Sequence, residues 1–141
     1  MAETPGEELL TFRIPARSDR LGEMRAAVRS CVEACGCSET STADIVLAVD
    51  EACQNIIRHA YKGDPNGVIE LEIHREGADL VFCLHDGAPA IDPSTVKPRD
   101  LDDVRPGGLG TYFIRKVMDR MEFRPSPRGA GNLLTMVKRI E

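Results

Sequence analysis

Two side chains on one predicted helix have the types and the spacing to act together in chemistry. Glu51 and Asn55 are four residues apart, which stacks side chains on one helix face. A carboxylate and a carboxamide held side by side can orient a hydroxyl group and can bind a hard cation through oxygen. Taken alone, such a pair is most often simply solvated, as we expect for the neighbouring Asp50. His59 falls one turn further along the same face, either near a bound phosphate or packed at the helix end.

A second candidate group lies at the end of an apolar strand, where Asp86 is followed by the small residues Gly87 and Ala88. An aspartate in this position can accept a hydrogen bond from the exocyclic amine of a ligand, while small neighbours let a flat ring approach the backbone. The same residues are typical of an ordinary Asp-Gly turn, and by themselves they favour the turn.

The third candidate is the run Gly107-Gly108-Leu109-Gly110, which opens a predicted helix. Backbone N–H groups at such a helix start lie free at the positive end of the helix dipole, an arrangement that binds phosphate. Glycines at a helix start are also common without any ligand. The chain has no Walker-type phosphate loop, no complete Gly-x-Gly-x-x-Gly and no zinc-protease, esterase or eukaryotic-type kinase motif, which disfavours those classes.

The composition is that of one globular domain, which we place at residues 1–141. Hydrophobic residues make up 42% and charged residues 29% of the chain, ordinary values for a domain with its own core. The 18 basic and 23 acidic residues give a net charge of −5, and the basic ones are scattered, which argues against direct nucleic-acid binding. Because the chain lacks an apolar run long enough to span a membrane and an apolar leader, we expect a cytoplasmic protein without membrane contact.

The five cysteines are predicted to be reduced and mostly buried, because their number is odd and no Cys-x-x-Cys pair occurs. Cys31, Cys35 and Cys37 form the one cluster. A metal site there would lack a fourth ligand, so we favour a helix end with small buried side chains over a thiol-based metal or redox protein.

Hydrophobic periodicity predicts the elements that position these groups. Alternating apolar residues predict strands at Leu9–Ile14, Val68–Ile73, Leu80–Leu84, Met121–Pro125 and Leu133–Ile140. Three- and four-residue spacing predicts helices from an N-cap at Ser18 to Cys35, from Ser41 to Tyr61 and from Thr111 to Arg120, with Gly36 ending the first. Since adjacent strands are linked as hairpins, the predicted fold class is α/β (α+β): a two-layer sandwich whose mixed, mostly antiparallel sheet carries helices on one face.

In their order along the chain, the three candidate groups resemble the three ATP-site boxes of bacterial anti-sigma factor serine-protein kinases. The matching segments read VDEACQNIIRHAY (residues 49–61), DGAPAIDP (86–93) and GGLGTYFIRKVMD (107–119). That family belongs to the ATPase superfamily of gyrase, the histidine kinases and the mismatch-repair ATPases, and the similarity in element order covers residues 9–140. The resemblance implies a histidine kinase-like ATPase fold with an ATP lid around residues 87–107.

The resemblance also implies roles for individual residues. Asn55 would bind the Mg²⁺ that bridges the ATP phosphates, Glu51 would be the base for an attacking hydroxyl, and Asp86 would accept from the adenine amine. The other nucleotide contacts that it implies are Ala88, Gly108, Leu109, Gly110 and Thr111. Arg58 and Arg105 are candidate counter-charges for phosphate, or else solvated surface residues.

One departure from the family pattern concerns the turn after Asp86. Where the family usually has glycine two residues after the aspartate, this chain has Ala88, with Gly87 in the middle position. If that position needs a positive φ, the extra methyl group weakens nucleotide binding, whereas at a negative φ alanine is harmless.

The function that the resemblance implies is that of an ATP-dependent kinase which regulates transcription by partner switching. It would phosphorylate a serine or threonine of an anti-sigma antagonist protein, would sequester a sigma factor, and would be a homodimer like its family. The alternative is a catalytically silent module of the same fold, either nucleotide-sensing or nucleotide-free, and Ala88 is the residue that motivates it.

Overall fold

The computed structural model describes residues 6–89 and 108–140. Within them, helices cover one face of a five-stranded sheet, and both layers contribute to one hydrophobic core. The strands are β1 (Glu7–Pro15), β2 (Val68–Glu76), β3 (Asp79–Asp86), β4 (Arg120–Pro125) and β5 (Asn132–Arg139). The helices are α1 (Leu21–Ala34), α2 (Glu39–Asn55) and α3 (Gly108–Val117), with a 3₁₀ turn at Ser18–Arg20 and a π-helical turn at Ile56–Ala60. None of the helices in these ranges is long and apolar enough to cross a membrane.

The strands lie side by side in the order β1-β2-β3-β5-β4. The α+β class is confirmed, but the prediction of a mixed sheet is wrong for the described strands, because all four pairings are antiparallel. The connection through α3 brings β4 back in the same direction as β3. Since β5 lies between those two strands and is antiparallel to both, no parallel pair forms.

The core sits between the sheet and the helices, where alternate strand residues face inward. Leu71, Leu84 and Leu134 lie opposite one another on neighbouring strands, as do Ile73, Phe82 and Met136. Buried residues from the helices pack against these rows, namely Val28 and Val32 of α1, Val49 of α2 and Ile114 of α3. Burying each large apolar side chain contributes roughly 1.5–3 kcal/mol, so the two layers stay together without a disulfide.

The first helix starts later than predicted. Ser18 belongs to the 3₁₀ turn, and α1 begins at Leu21 without a side-chain cap, so the prediction of Ser18 as the N-cap is wrong. The backbone N–H of Arg20 donates to the carbonyl of Arg17, and this tighter turn takes up the residues between β1 and α1. The predicted stop at Gly36 is confirmed, since its φ of +88° suits glycine.

The second helix ends earlier than predicted, at Asn55 rather than Tyr61. Its start is set by Ser38, whose hydroxyl accepts a hydrogen bond from the backbone N–H of Ser41 at 3.1 Å. The residues after Asn55 form the π-helical turn, which closes with the N–H of Tyr61 donating to the carbonyl of Ile56 at 2.9 Å. Such wide turns are rare and are often found at functional sites.

The third helix occupies Gly108–Val117, three residues ahead of the prediction at both ends, because β4 already begins at Arg120. The glycines Gly108 and Gly110 are therefore part of its first turn and do not precede it. The predicted ATP lid, apart from residues 87–89, lies outside the described residues, as do Arg105 and Gly107.

Asp50 is not the solvated residue that we predicted. It is only 8% exposed, and its Oδ1 accepts from Arg25 Nη1 of α1 at 2.8 Å. Gln54 Nε2 donates to its Oδ2 at 2.7 Å. Because both carboxylate oxygens have partners, Asp50 joins α1 to α2 beneath the surface, a contact that a pattern confined to one helix does not predict.

The cysteine cluster lies at the C-terminal end of α1 as predicted. All five cysteines are free, Cys53 is buried, and Cys31, Cys35 and Cys37 are partly buried against the core. Burial, with the neighbouring thiols Cys35 and Cys37 adding to it, raises the pKa of Cys31 to about 11. Its thiol is thus protonated at neutral pH, and residues 6–89 and 108–140 contain no group of three side chains able to hold a metal ion.

We expect Gly131→Ala to destabilise the fold far more than Gly129→Ala. Both glycines have a φ near +110° (+108° and +115°), so alanine is strained at either position by about 1–2 kcal/mol. A Cβ at Gly131 would also overlap the carbonyl oxygen of Asp86, whereas a Cβ at Gly129 meets nothing within 4 Å. We predict a further loss of at least about 2 kcal/mol at Gly131, measured as the difference in unfolding free energy in urea. Equal losses in the two variants would show that the backbones of β3 and β5 do not approach so closely.

Candidate functional site

The end of α2 brings three polar side chains together. Arg58, in the π-helical turn, places Nη2 3.2 Å from Glu51 Oε2 and 3.4 Å from Asn55 Oδ1. The side chain of Glu51 is 27% exposed and that of Arg58 40%. The predicted stacking of Glu51 and Asn55 on the solvent side of the helix is therefore confirmed, with Arg58 bridging their oxygen atoms. His59, which we predicted on the same face, is exposed.

The chemistry of this cluster follows from its oxygen atoms. A carboxylate and an amide oxygen, both reachable from solvent, form a donor set that suits Mg²⁺, which prefers oxygen ligands and keeps several waters. Arg58 offsets the charge of Glu51 and presents guanidinium N–H groups, the donors that match phosphate oxygens. The residues at this end of α2 thus fit a metal-bound polyphosphate.

A second polar group lies on the helix-facing side of the sheet. Asp86, at the end of β3, is directly opposite Asn132, at the start of β5. Asp86 is 7% exposed and Asn132 is fully buried. Asn132 Nδ2 donates to Asp86 Oδ1 at 3.0 Å and to the carbonyl of Pro89 at 3.3 Å, and the N–H of Ala88 donates to the same Oδ1 at 3.0 Å.

Burial and hydrogen bonding act in opposite directions on the Asp86 carboxyl group. Burial raises its pKa, while the Asn132 amide and the backbone N–H groups of Ala88 and Asn132 lower it by favouring the carboxylate. The net pKa lies above the usual aspartate value. Asp86 is therefore an acceptor whose orientation is set by its neighbours and whose charge is only partly stabilised in the absence of a ligand.

Ala88 has the backbone conformation in which alanine is harmless. Among the described residues, Lys62 is the one non-glycine residue with a positive φ, so Ala88 lies on the negative side. Its methyl group is buried, with 2% exposure. A Cβ at Gly87 would also make only an ordinary contact, 3.5 Å from the Tyr61 hydroxyl. The Gly-Ala order after Asp86 therefore imposes no backbone strain on the turn.

The predicted phosphate-binding segment forms the first turn of α3, and α3 packs against α2. That turn consists of Gly108, Leu109, Gly110 and Thr111. The first four backbone N–H groups of an α-helix have no partner within the helix and lie at its positive end. The helix that carries them is thus a neighbour of the helix that carries Glu51 and Asn55.

Asn132 is the residue of this site that the sequence analysis missed. It stands at the start of a strand after a glycine, and such a position gives no sign of a functional role. The signal would have been the strand register, because only the pairing of β3 with β5 places Asn132 opposite Asp86.

We predict that Asn132→Ala raises the pKa of Asp86 further, because a donor that favours the carboxylate is removed. A ¹³C NMR titration of the Asp86 carboxyl group measures this shift.

We also expect Asn132→Ala to lower the free energy of unfolding, by an amount that depends on pH because the pKa of Asp86 is raised. The loss should be about 1–3 kcal/mol above the folded-state pKa, where Asp86 is charged, and smaller in acid, where it is protonated.

Asn66→Ala, in an exposed turn, is the matched control and should leave the Asp86 titration unchanged. A pKa that stays the same or falls in Asn132→Ala would contradict the assigned hydrogen bond.

The chain is similar to known proteins over most of its length. Residues 14–138 match the family model of the histidine kinase-like ATPase domain. Among curated proteins, the serine-protein kinase RsbW of Halalkalibacterium halodurans is 27% identical over 142 residues, covering 95% of this chain and 85% of that protein.

Two solved structures share the fold. The crystal structure of the RsbU and RsbW domains of a Mycobacterium tuberculosis protein has a TM-score of 0.66 at 18% identity and covers 97% of this chain, which spans about a third (32%) of that longer chain. The SiaB–SiaC complex of Pseudomonas aeruginosa also gives 0.66 at 18% identity, covering 96% of this chain and 90% of the other. Because the family model matches residues 14–138, which are most of the chain, the chain belongs to the histidine kinase-like ATPase domain family.

Proposed function

We propose that this protein is an ATP-dependent protein kinase that phosphorylates a serine or threonine of an anti-sigma antagonist protein and binds a sigma factor. The observation that carries the proposal is the pairing of Glu51 with Asn55 on α2, in a chain of an ATPase family. The proposal is also supported by a relative that is named a serine-protein kinase and that matches this chain over 85% of its own length.

Asn55 and Arg58 are proposed to hold the phosphate end of the nucleotide. Mg²⁺-ATP, when bound, supplies the phosphoryl group and the metal charge that activates it for transfer. Asn55 offers its amide oxygen to the metal, and Arg58 turns its N–H groups from Glu51 and Asn55 towards phosphate oxygens. The backbone N–H groups of Gly108, Leu109 and Gly110 would add donors at the start of α3.

Glu51 is proposed to act as the general base. Its carboxylate would accept the proton of the substrate hydroxyl group as the hydroxyl oxygen bonds to the γ-phosphorus of ATP, whose bond to the β-phosphate oxygen would break to release ADP. In the nucleotide-free chain, Arg58 Nη2 lies 3.2 Å from Glu51 Oε2. Once Arg58 contacts phosphate, Glu51 is free to accept the proton.

Asp86 is proposed to recognise adenine. Its carboxylate, held by Asn132 and Ala88, accepts a hydrogen bond from the exocyclic amine, and the small residues after it leave room for the ring. Since the pKa of Asp86 is raised, nucleotide affinity should begin to fall at a higher pH than it would for an aspartate with the usual pKa.

The proposed partners are inferred by analogy with similar proteins. The structurally similar proteins include an RsbW domain joined to an RsbU domain and SiaB in complex with SiaC, which supports a partner-switching role for a chain of this fold. A homodimer and a cytoplasmic location, where a sigma factor is available, are part of the proposal. The alternative, a catalytically silent module, was motivated by Ala88. Because the φ of Ala88 is negative, alanine causes no backbone strain there, which argues against this alternative.

Substitutions at the two α2 residues should separate nucleotide binding from phosphate transfer. We expect Asn55→Ala to abolish Mg²⁺-dependent ATP binding, measured by calorimetric titration with and without Mg²⁺. We expect Glu51→Gln to retain ATP binding but to slow transfer of labelled phosphate to the cognate antagonist by about 10²- to 10⁴-fold, because a base is lost.

Glu39→Gln is the matched control, since it neutralises an exposed acidic residue of the same helix away from the cluster. Both activities should survive in this variant. A folded wild-type chain that does not bind ATP would favour the silent module, and unimpaired transfer by Glu51→Gln would exclude Glu51 as the base.

A further inference from the structure

The side chain of Tyr61 connects the end of the π-helical turn to two strand ends. Its hydroxyl group accepts from the backbone N–H of Gly87 at 2.5 Å and from that of Val68 at 3.2 Å, and it donates to the Val68 carbonyl at 2.7 Å. A phenol has one proton to donate and two lone pairs. All three are in use, so the Tyr61 hydroxyl has no capacity left for a substrate or nucleotide.

The position of the Tyr61 ring is fixed as well. Its backbone N–H closes the π-helical turn on the carbonyl of Ile56. The ring lies against Gly67, where a Cβ would come within 2.5 Å of the ring carbons. Both the length of the turn and the absence of a side chain at residue 67 are therefore needed to bring the hydroxyl group to Gly87.

The peptide bond between Asp86 and Gly87 is held from both of its polar sides. Tyr61 accepts from its N–H, and Gly131 packs so closely on its carbonyl oxygen that a Cβ would overlap it. Because a peptide unit is planar, holding these two groups sets the direction in which the chain leaves β3. Asp86, which provides the carbonyl, is the proposed acceptor for adenine.

We propose that Tyr61 is a positioning residue for adenine recognition, which links the helix that carries Asn55 to the strand end that carries Asp86. This inference rests on the proposed ATP binding, and it adds a residue that does not itself touch the nucleotide. The base-binding and phosphate-binding ends of the site then share one hydrogen-bonded connection, six residues along the chain from Asn55.

The test uses Tyr61→Phe, which keeps the ring against Gly67 and removes only the hydroxyl group. Affinities for ATP and for inosine triphosphate, in which a carbonyl replaces the exocyclic amine, are measured by calorimetric titration. We expect the wild type to prefer ATP by about tenfold or more, and Tyr61→Phe to lose about tenfold in ATP affinity with less than a twofold change for inosine triphosphate. Tyr112→Phe, at the other tyrosine of the chain, is exposed and should keep the wild-type preference.

Three outcomes would overturn the inference. In Tyr61→Phe, these are an unchanged affinity for ATP, or an equal fall in affinity for both nucleotides, which would indicate general loosening of the fold. In the wild type, equal affinity for the two nucleotides would remove adenine recognition by Asp86, and the inference with it.

Amide hydrogen exchange of Gly87 in the nucleotide-free protein separates this inference from the proposed function. We expect exchange at Gly87 to be at least about tenfold faster in Tyr61→Phe than in the wild type or Tyr112→Phe. Equal protection in all three proteins would overturn the positioning role whether or not ATP binds. Failure of the wild type to bind ATP, with Gly87 protected by Tyr61, would instead overturn the proposed function and leave the contact as a structural one.

Discussion

The buried carboxyl group of Asp86 is the constraint on which the arrangement of this protein depends. A carboxylate at a helix-facing position of a sheet loses its hydration, and the loss is tolerated only where donors replace water. Asn132 and the N–H of Ala88 provide them, and each requires a particular piece of the fold. Asn132 requires the pairing of β5 with β3 in one register, and Ala88 requires that the chain turn back immediately after the strand.

Comparison of three carboxylates shows how their surroundings separate structural from chemical roles. Asp50 is buried and has partners for both oxygens, so it joins two helices. Glu72 lies on the face of the sheet away from the helices. Burial raises its pKa, but the contacts with His85 and Arg128 outweigh burial and bring the pKa below the usual value. The side chain of Glu51 is the most exposed of the three, at 27% against 11% for Asp50 and 21% for Glu72, which leaves it available for chemistry.

The two ends of the candidate site are built by different means. The phosphate end depends on spacing within α2 and the turn after it, which is local. The adenine end depends on strand ends that are far apart in the sequence, and Tyr61 connects it to the helix. A substitution at Tyr61 can therefore affect Gly87, the residue after β3, although the two lie 26 positions apart in the chain.

The amino-acid sequence by itself determined the strands, the hairpins, the antiparallel tendency and the stacking of Glu51 on Asn55, because hydrophobic period and helical spacing are local properties. It also contained the order of the three ATP-site segments, from which the family could be identified. The start of α1, the end of α2 and the burial of Asp50 were predicted wrongly, since each is decided by contacts with other elements. Only the tertiary structure placed Asn132 beside Asp86 and the Tyr61 hydroxyl on Gly87. Those contacts depend on register and on a wide helical turn, and neither leaves a periodic signal in the residues that it joins.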